Sequence, residues 1–144
     1  MAGRFARIIP VLGLMVLFSA TPALAGDDSS AAPKARALIE RQFDALARDD
    51  APGAYALAAP AIKTKFADPE GFMAMVRDKY APVYRHRSVE FGEAEDDGDR
   101  ISQVLTIVDN DNKVWKALYE LARQPDGTWL ITGCVLIRAA ETPT

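Results

Sequence analysis

The stretch Lys113-Val-Trp-Lys-Ala-Leu-Tyr-Glu-Leu-Ala-Arg123 decides the fold, because it satisfies two periods at once. Val114, Leu118, Leu121 and Ala122 fit one stripe of a helix. Trp115, Ala117, Tyr119 and Leu121 fit one face of a strand. The flanks favour the strand. Asp109–Asn112 is a polar turn before it, and Pro125-Asp126-Gly127 is a hairpin signal after it. Proline there presets the turn and glycine accepts positive φ. The next run, Trp129–Ile137, is almost wholly apolar and β-rich, and reads as a central strand.

With that segment extended, the second half of the chain is a meander of about four strands. Arg85, Arg87, Val89 and Phe91 alternate with His86, Ser88 and Glu90, so the period after Pro82 is two. Glu93–Asp99 is an acidic turn containing Gly98, and Ile101–Val108 is a β-branched strand.

The first half has a different period. Ala35, Leu38, Ile39, Phe43 and Leu46 recur at helical spacing, opposite Lys34, Arg36, Glu40, Arg41, Asp44 and Arg48. This predicts an amphipathic helix over about 33–48, with Pro33 in its first turn. Asp49-Asp50 caps a second helix that carries Pro52 and runs to about Ala58, where Pro60 stops it. A short helical turn follows around 61–66. Asp68-Pro69-Glu70 is a helix start, and Phe72, Met73, Val76 and Tyr80 share one face of that helix. Pro82 lies just past its end. Helices followed by an antiparallel sheet imply an α+β domain with the helices on one face.

Residues 1–25 read as a secretory signal peptide. Arg4 and Arg7 precede the apolar run Ile8–Ala20, and Ala23-Leu24-Ala25 is a small-x-small cleavage site. The run is shorter than the roughly 20 residues of a membrane span, so the expectation is a periplasmic or secreted protein without a stable membrane anchor after cleavage. Residues 26–32 form a tail, 33–139 a single domain and 140–144 a second tail. Without Arg4 and Arg7 the formal net charge moves from −3 to −5. An acidic domain argues against nucleic acid as a partner.

Chemical signals are sparse. Cys134 is the single cysteine, so no internal disulfide forms, and its apolar setting predicts a small buried thiol. His86 is the single histidine, which rules out a multi-histidine metal centre. It is expected exposed at a strand start. Asp109-Asn110-Asp111 opens like a calcium loop but lacks the later glycine and glutamate. No nucleophile elbow, phosphate loop or paired-cysteine pattern is present. No catalytic residue, metal site or cofactor is expected.

Several local strings resemble one bacterial family. They are Ile39–Leu46 with Asp49-Asp50, Ala54–Pro60, Phe72–Val76, Tyr80–Arg85, and Arg123–Trp129 with Gly133-Cys134. That family is an uncharacterised domain-of-unknown-function group of exported proteins, with a nuclear-transport-factor-2-like (cystatin-like) roll. The likeness runs from Leu38 to Ile137. It implies a curved antiparallel sheet of about four strands closed by N-terminal helices, and it implies no reaction. In such rolls sheet and helices enclose a cone whose mouth holds small apolar ligands, and pairing through the outer sheet face gives homodimers.

On that picture Tyr55, Phe66, Phe72, Tyr80, Tyr84, Phe91, Trp115, Tyr119 and Trp129 either fill the cone or line a pocket, in which Tyr55, Tyr80, Tyr84, Trp115 and Tyr119 give apolar walls with polar tips. Arg87, on the Val89–Phe91 face, either pairs with an acid or clamps the carboxylate of an anionic ligand. The leading expectation is a binding or interaction module for a small apolar or anionic molecule. The alternative is a pocket enzyme of the ketosteroid-isomerase type, moving a proton on an apolar substrate. A third is a structural domain of an envelope complex, with a filled cone.

Overall fold

The computed structural model describes residues 31–140. The signal-peptide reading and nearly all of both tails lie outside the described residues. Five helices precede a four-stranded sheet. The first helix, α1, spans Ala31–Ala47, so Ala31 and Ala32 join it ahead of Pro33. Proline there costs nothing, because first-turn N–H groups lack helical partners. Helix α2 (Ala51–Ala56) is capped by Asp50, whose carboxylate accepts from the Gly53 amide at 3.0 Å. Pro60 does more than stop α2, since it opens α3 (Pro60–Lys63). Asp68 caps α4 (Pro69–Lys79) through the Gly71 amide at 2.8 Å. Pro82, expected beyond a helix end, sits buried in the first turn of a short extra helix, α5 (Ala81–Tyr84).

The strands are β1 (Ser88–Asp96), β2 (Arg100–Val108), β3 (Val114–Arg123) and β4 (Trp129–Arg138), all antiparallel in chain order. The ambiguous segment is therefore a strand. It pairs along its length with β2 on one side and β4 on the other. Trp115, Ala117, Tyr119 and Leu121 form its inner face, and the latter three are fully buried.

Two expectations need correcting. The acidic run is not all turn: β1 continues to Asp96, and the turn is Asp97–Asp99 with Gly98 at φ 100°. A bulge explains this, since Gly92 and Glu93 together oppose Val104 and Ala94 then resumes the inward row. Second, Trp129–Ile137 is an edge strand, not a central one. Its continuous apolar pattern reflects two apolar faces. Trp129, Ile131, Cys134 and Leu136 pack on the core, while Val135 and Ile137 remain 53% and 59% exposed. The start of this edge is covered by the α2–α3 connection. The Ala59 amide donates to the Ile131 carbonyl at 2.8 Å, and the Ile131 amide to Leu57 at 2.9 Å.

Helix α1 lies across the inner sheet face, touching β1, β2 and β4. Its Ala35, Leu38, Ile39 and Leu46 join Ile101, Leu105, Ile107 and Leu121 in one core. Truncating Ile39 or Leu46 to Ala is worth about 2–5 kcal/mol on that basis. One fully buried polar side chain serves the sheet. The Gln103 amide donates to the carbonyls of Gly92 (3.0 Å), Glu93 (3.3 Å) and Val104 (2.8 Å), the residues that face each other across the bulge.

Gln103→Leu removes those bonds, so the expected loss is about 2 kcal/mol of unfolding free energy by chemical denaturation. A loss under about 0.5 kcal/mol would show that the bulge stands without the amide.

Candidate functional site

A cavity of about 260 Å³ opens between the helices and the β3–β4 side of the sheet. Gln42 and Leu46 come from α1; Ile62, Lys65 and Phe66 from α3 and the turn after it. Phe72, Met75 and Val76 come from α4, and Tyr119 from β3. On β4 a second bulge does the local work: Gly133 pairs with Glu120 and Ile131 with Leu121, leaving Thr132 extra. Alternation is broken there, and the consecutive residues Ile131, Thr132, Gly133 and Cys134 all reach the cavity.

The inner end is polar. The fully buried Tyr119 hydroxyl donates to Gln42 Oε1 at 3.0 Å. The Gln42 amide nitrogen makes no hydrogen bond among the described residues, although the residue is only 6% exposed. It is not sealed in protein, so its donor is open to whatever fills the cavity. The Tyr80 hydroxyl donates to the Cys134 carbonyl at 3.0 Å. Burial pushes the Tyr119 phenol well above its usual value, and burial followed by the nearby Cys134 thiol raises Tyr80. Burial also pushes the Cys134 thiol up, to about 12, with the Tyr119 hydroxyl opposing. These groups stay neutral at physiological pH. They can donate and accept hydrogen bonds.

Of the six residues expected at a pocket, Tyr80 and Tyr119 line the cavity. The structure takes the other four elsewhere. The Tyr55 hydroxyl donates to the Lys63 and Phe66 carbonyls, fastening the segment after α2. Tyr84 donates to the Asp49 carboxylate, with the Arg85 guanidinium 3.8 Å from its ring centre. Arg87 is exposed, donates to the Asn112 side chain and does not line this cavity. Trp115 donates to Asp109 Oδ2 at 2.9 Å, which is the main cause holding that carboxyl below its usual range. The other Asp109 oxygen accepts from the Asp111 and Lys113 amides, which accounts for this acid as a turn former. His86 is half-buried, not exposed: its ring lies 5.0 Å from that of Phe43 and its Nδ1 faces the Pro82 carbonyl at 3.1 Å.

Phe66 and Phe72, from the aromatic set, line the cavity as well, whereas Gln42 and Lys65 were not singled out from the sequence. Gln42 did carry a signal, since it is a polar residue at a buried position of the α1 stripe. Lys65 carried none, because a lysine after a short helix is ordinarily a solvated one.

A family model described as "Domain of unknown function (DUF4864)" matches residues 28–144. No curated protein matches the chain. Among solved structures, an NTF-2-like protein of unknown function from Silicibacter pomeroyi superposes with a TM-score of 0.50 at 15% identity, covering 74% of this chain and 93% of that one. The protein Aln2 from a Streptomyces species gives 0.49 at 16% identity, covering 73% and 88%. At 15% identity the likeness to the Silicibacter pomeroyi protein concerns the fold: an NTF2-like α+β roll.

The thiol yields a pH prediction. The Cys134 pKa is raised from 9.0 to about 12 in the fold, so the native state holds its proton longer than the unfolded chain. That advantage is complete below pH 9 and is lost as pH rises through the native value. The stability difference between wild type and Cys134→Ala should therefore narrow steadily from pH 9 to 11 in denaturant titrations. A constant difference would place the thiol in water.

Proposed function

Because the chain belongs to the DUF4864 family, whose description assigns no activity, we propose from the cavity that this is a binding module for a small, largely apolar molecule, and from residues 1–25 that it is exported. The observation that carries the reading is an apolar cavity lined by the buried residue Gln42, whose amide nitrogen has no partner among the described residues. By the scale of an apolar cavity of about 150 Å³ that takes benzene, the volume suits a ligand of about ten heavy atoms. A carbonyl or hydroxyl on that ligand would satisfy Gln42 and gain discrimination, because the apolar analogue leaves the donor unpaired.

The ketosteroid-isomerase alternative needs a carboxylate or imidazole against the substrate. The cavity lining contains neither, and His86 is engaged with Phe43 and Pro82. The geometry therefore favours binding over proton transfer.

A second surface supports self-association. On the outer sheet face Val104, Leu118 and Val135 stand in one cross-strand row. Lys116 and Glu120 flank Leu118 two residues to either side. A two-fold axis along that row would stack apolar on apolar and set Lys116 over the partner subunit's Glu120. We propose a homodimer through this face. No helix among the described residues is long and apolar enough to cross a membrane.

Two measurements test these readings. Acetophenone should bind the purified protein more tightly than propylbenzene, and Gln42→Leu should remove roughly a tenfold preference, while Met75→Trp weakens both. If neither probe binds, the cavity is not a ligand site. Native mass spectrometry of protein purified from the periplasm should show a dimer of chains beginning at Gly26. An unprocessed N-terminus would remove export, and a monomer at micromolar concentration would remove the pairing.

A further inference from the structure

We infer that the cavity selects small carboxylates, with the Lys65 ammonium at its rim taking the head group. This rests on the cavity being a ligand site. Lys65 is the one charged side chain in the lining, and no acid lines the cavity to neutralise it. The residue is exposed, which places it at the mouth, whereas Gln42 and Tyr119 are buried at the other end. Its side chain makes no ion pair, hydrogen bond or ring contact among the described residues. The neighbouring Lys63 differs, since its ammonium lies 5.5 Å from the Tyr55 ring centre.

An unpaired cation matters more here than on an open surface. Low-dielectric walls on one side strengthen its attraction for an anion held beside them. The protein as a whole carries a formal net charge of −3, so a cationic mouth is a local exception to a field that repels anions. A carboxylate with a carbonyl or hydroxyl at its far end would place its head group on Lys65, its apolar body along Phe66, Phe72 and Val76 and that far group on Gln42, and a plain fatty carboxylate engages the Lys65 end alone. Sequence reading offered Arg87 for this role. With Arg87 bound to Asn112, the cation that faces the cavity is Lys65.

Octanoate and octanamide have the same ten heavy atoms and differ in charge, so they isolate the claim. By titration calorimetry at low salt, octanoate should bind wild type roughly fivefold tighter than octanamide, the upper range for a partly exposed ion pair. The gap should close in Lys65→Gln, persist in Lys65→Arg and shrink at about 1 M salt. Equal binding of both compounds to wild type would overturn the carboxylate selectivity and leave the cavity reading standing. A preference that survives Lys65→Gln would overturn the assignment to Lys65. Failure of both compounds, together with acetophenone, to bind would remove the ligand site and this inference with it.

Discussion

The Tyr119 side chain has one polar atom and is only 1% exposed, so its hydroxyl must be satisfied inside the fold. It donates to Gln42 on α1, 77 residues earlier in the chain. A buried hydroxyl without a partner costs about 1–3 kcal/mol, which restricts how α1 can lie across the sheet. Leu38, Ile39 and Leu46 supply the non-directional attraction that holds the helix down. The Tyr119–Gln42 bond supplies direction. Phe43 reinforces it by meeting the Tyr119 ring nearly edge-on at 6.2 Å. The inner end of the cavity is a by-product of the same bond: the Gln42 carbonyl is consumed by Tyr119 and its amide nitrogen is left over.

The two bulges divide the sheet's work. In β1 the buried Gln103 donates to the carbonyls of both bulge residues, Gly92 and Glu93, so this end is closed and structural. In β4 the extra residue is Thr132, beside the cavity, and no buried side chain plugs it. A bulge bends its strand and re-aims the neighbouring side chains. The sheet thus curves over a filled core at one edge and over space at the other. That asymmetry explains why the aromatic rings do not all share one fate. Tyr55 and Trp115 have their polar atoms taken by nearby carbonyl and carboxylate groups, while Tyr80 and Tyr119 face the gap.

Much of this architecture was legible from periodicity and punctuation. The Asp50 and Asp68 caps, the Pro125-Asp126-Gly127 hairpin and the two-residue period of Lys113–Arg123 each have a local cause, and each stands where expected. The misreadings share a different cause. An apolar run such as Trp129–Ile137 records what touches its two faces, not how many strands flank it, so it could not announce an edge. Bulges are set by pairing with a distant strand, and neither Gly92 nor Thr132 marks one by itself. Site residues fared worst for the same reason. Arg87 and Trp115 alternate onto the expected face, but Asn112 and Asp109 in the next turn capture them. Those contacts depend on hairpin register.

The helical wall of the cavity is held by a corner whose cost is visible. Asp49 ends α1 at φ 53°, a left-handed conformation that costs least for glycine and that asparagine and aspartate adopt more readily than other residues. The Asp49 amide returns to Leu46 at 3.1 Å and the Asp50 amide to Ala45 at 2.8 Å, closing the helix end in a Schellman pattern. Glycine would satisfy that geometry without strain, but it would bring no carboxylate. The Asp49 carboxylate takes the Tyr84 hydroxyl from α5, the Arg77 guanidinium from α4 and Arg85 at 3.2 Å. The Tyr84 bond is the chief cause holding its pKa below the usual range, with both arginines acting in the same direction. One strained residue therefore fastens the end of α1 to the two helices that carry Val76 and Val83, both facing the cavity. These helices are short, and α5 has a single turn, too little to hold a position by its own propensity. Tethering them through Asp49 keeps the wall in place while the space behind it stays open.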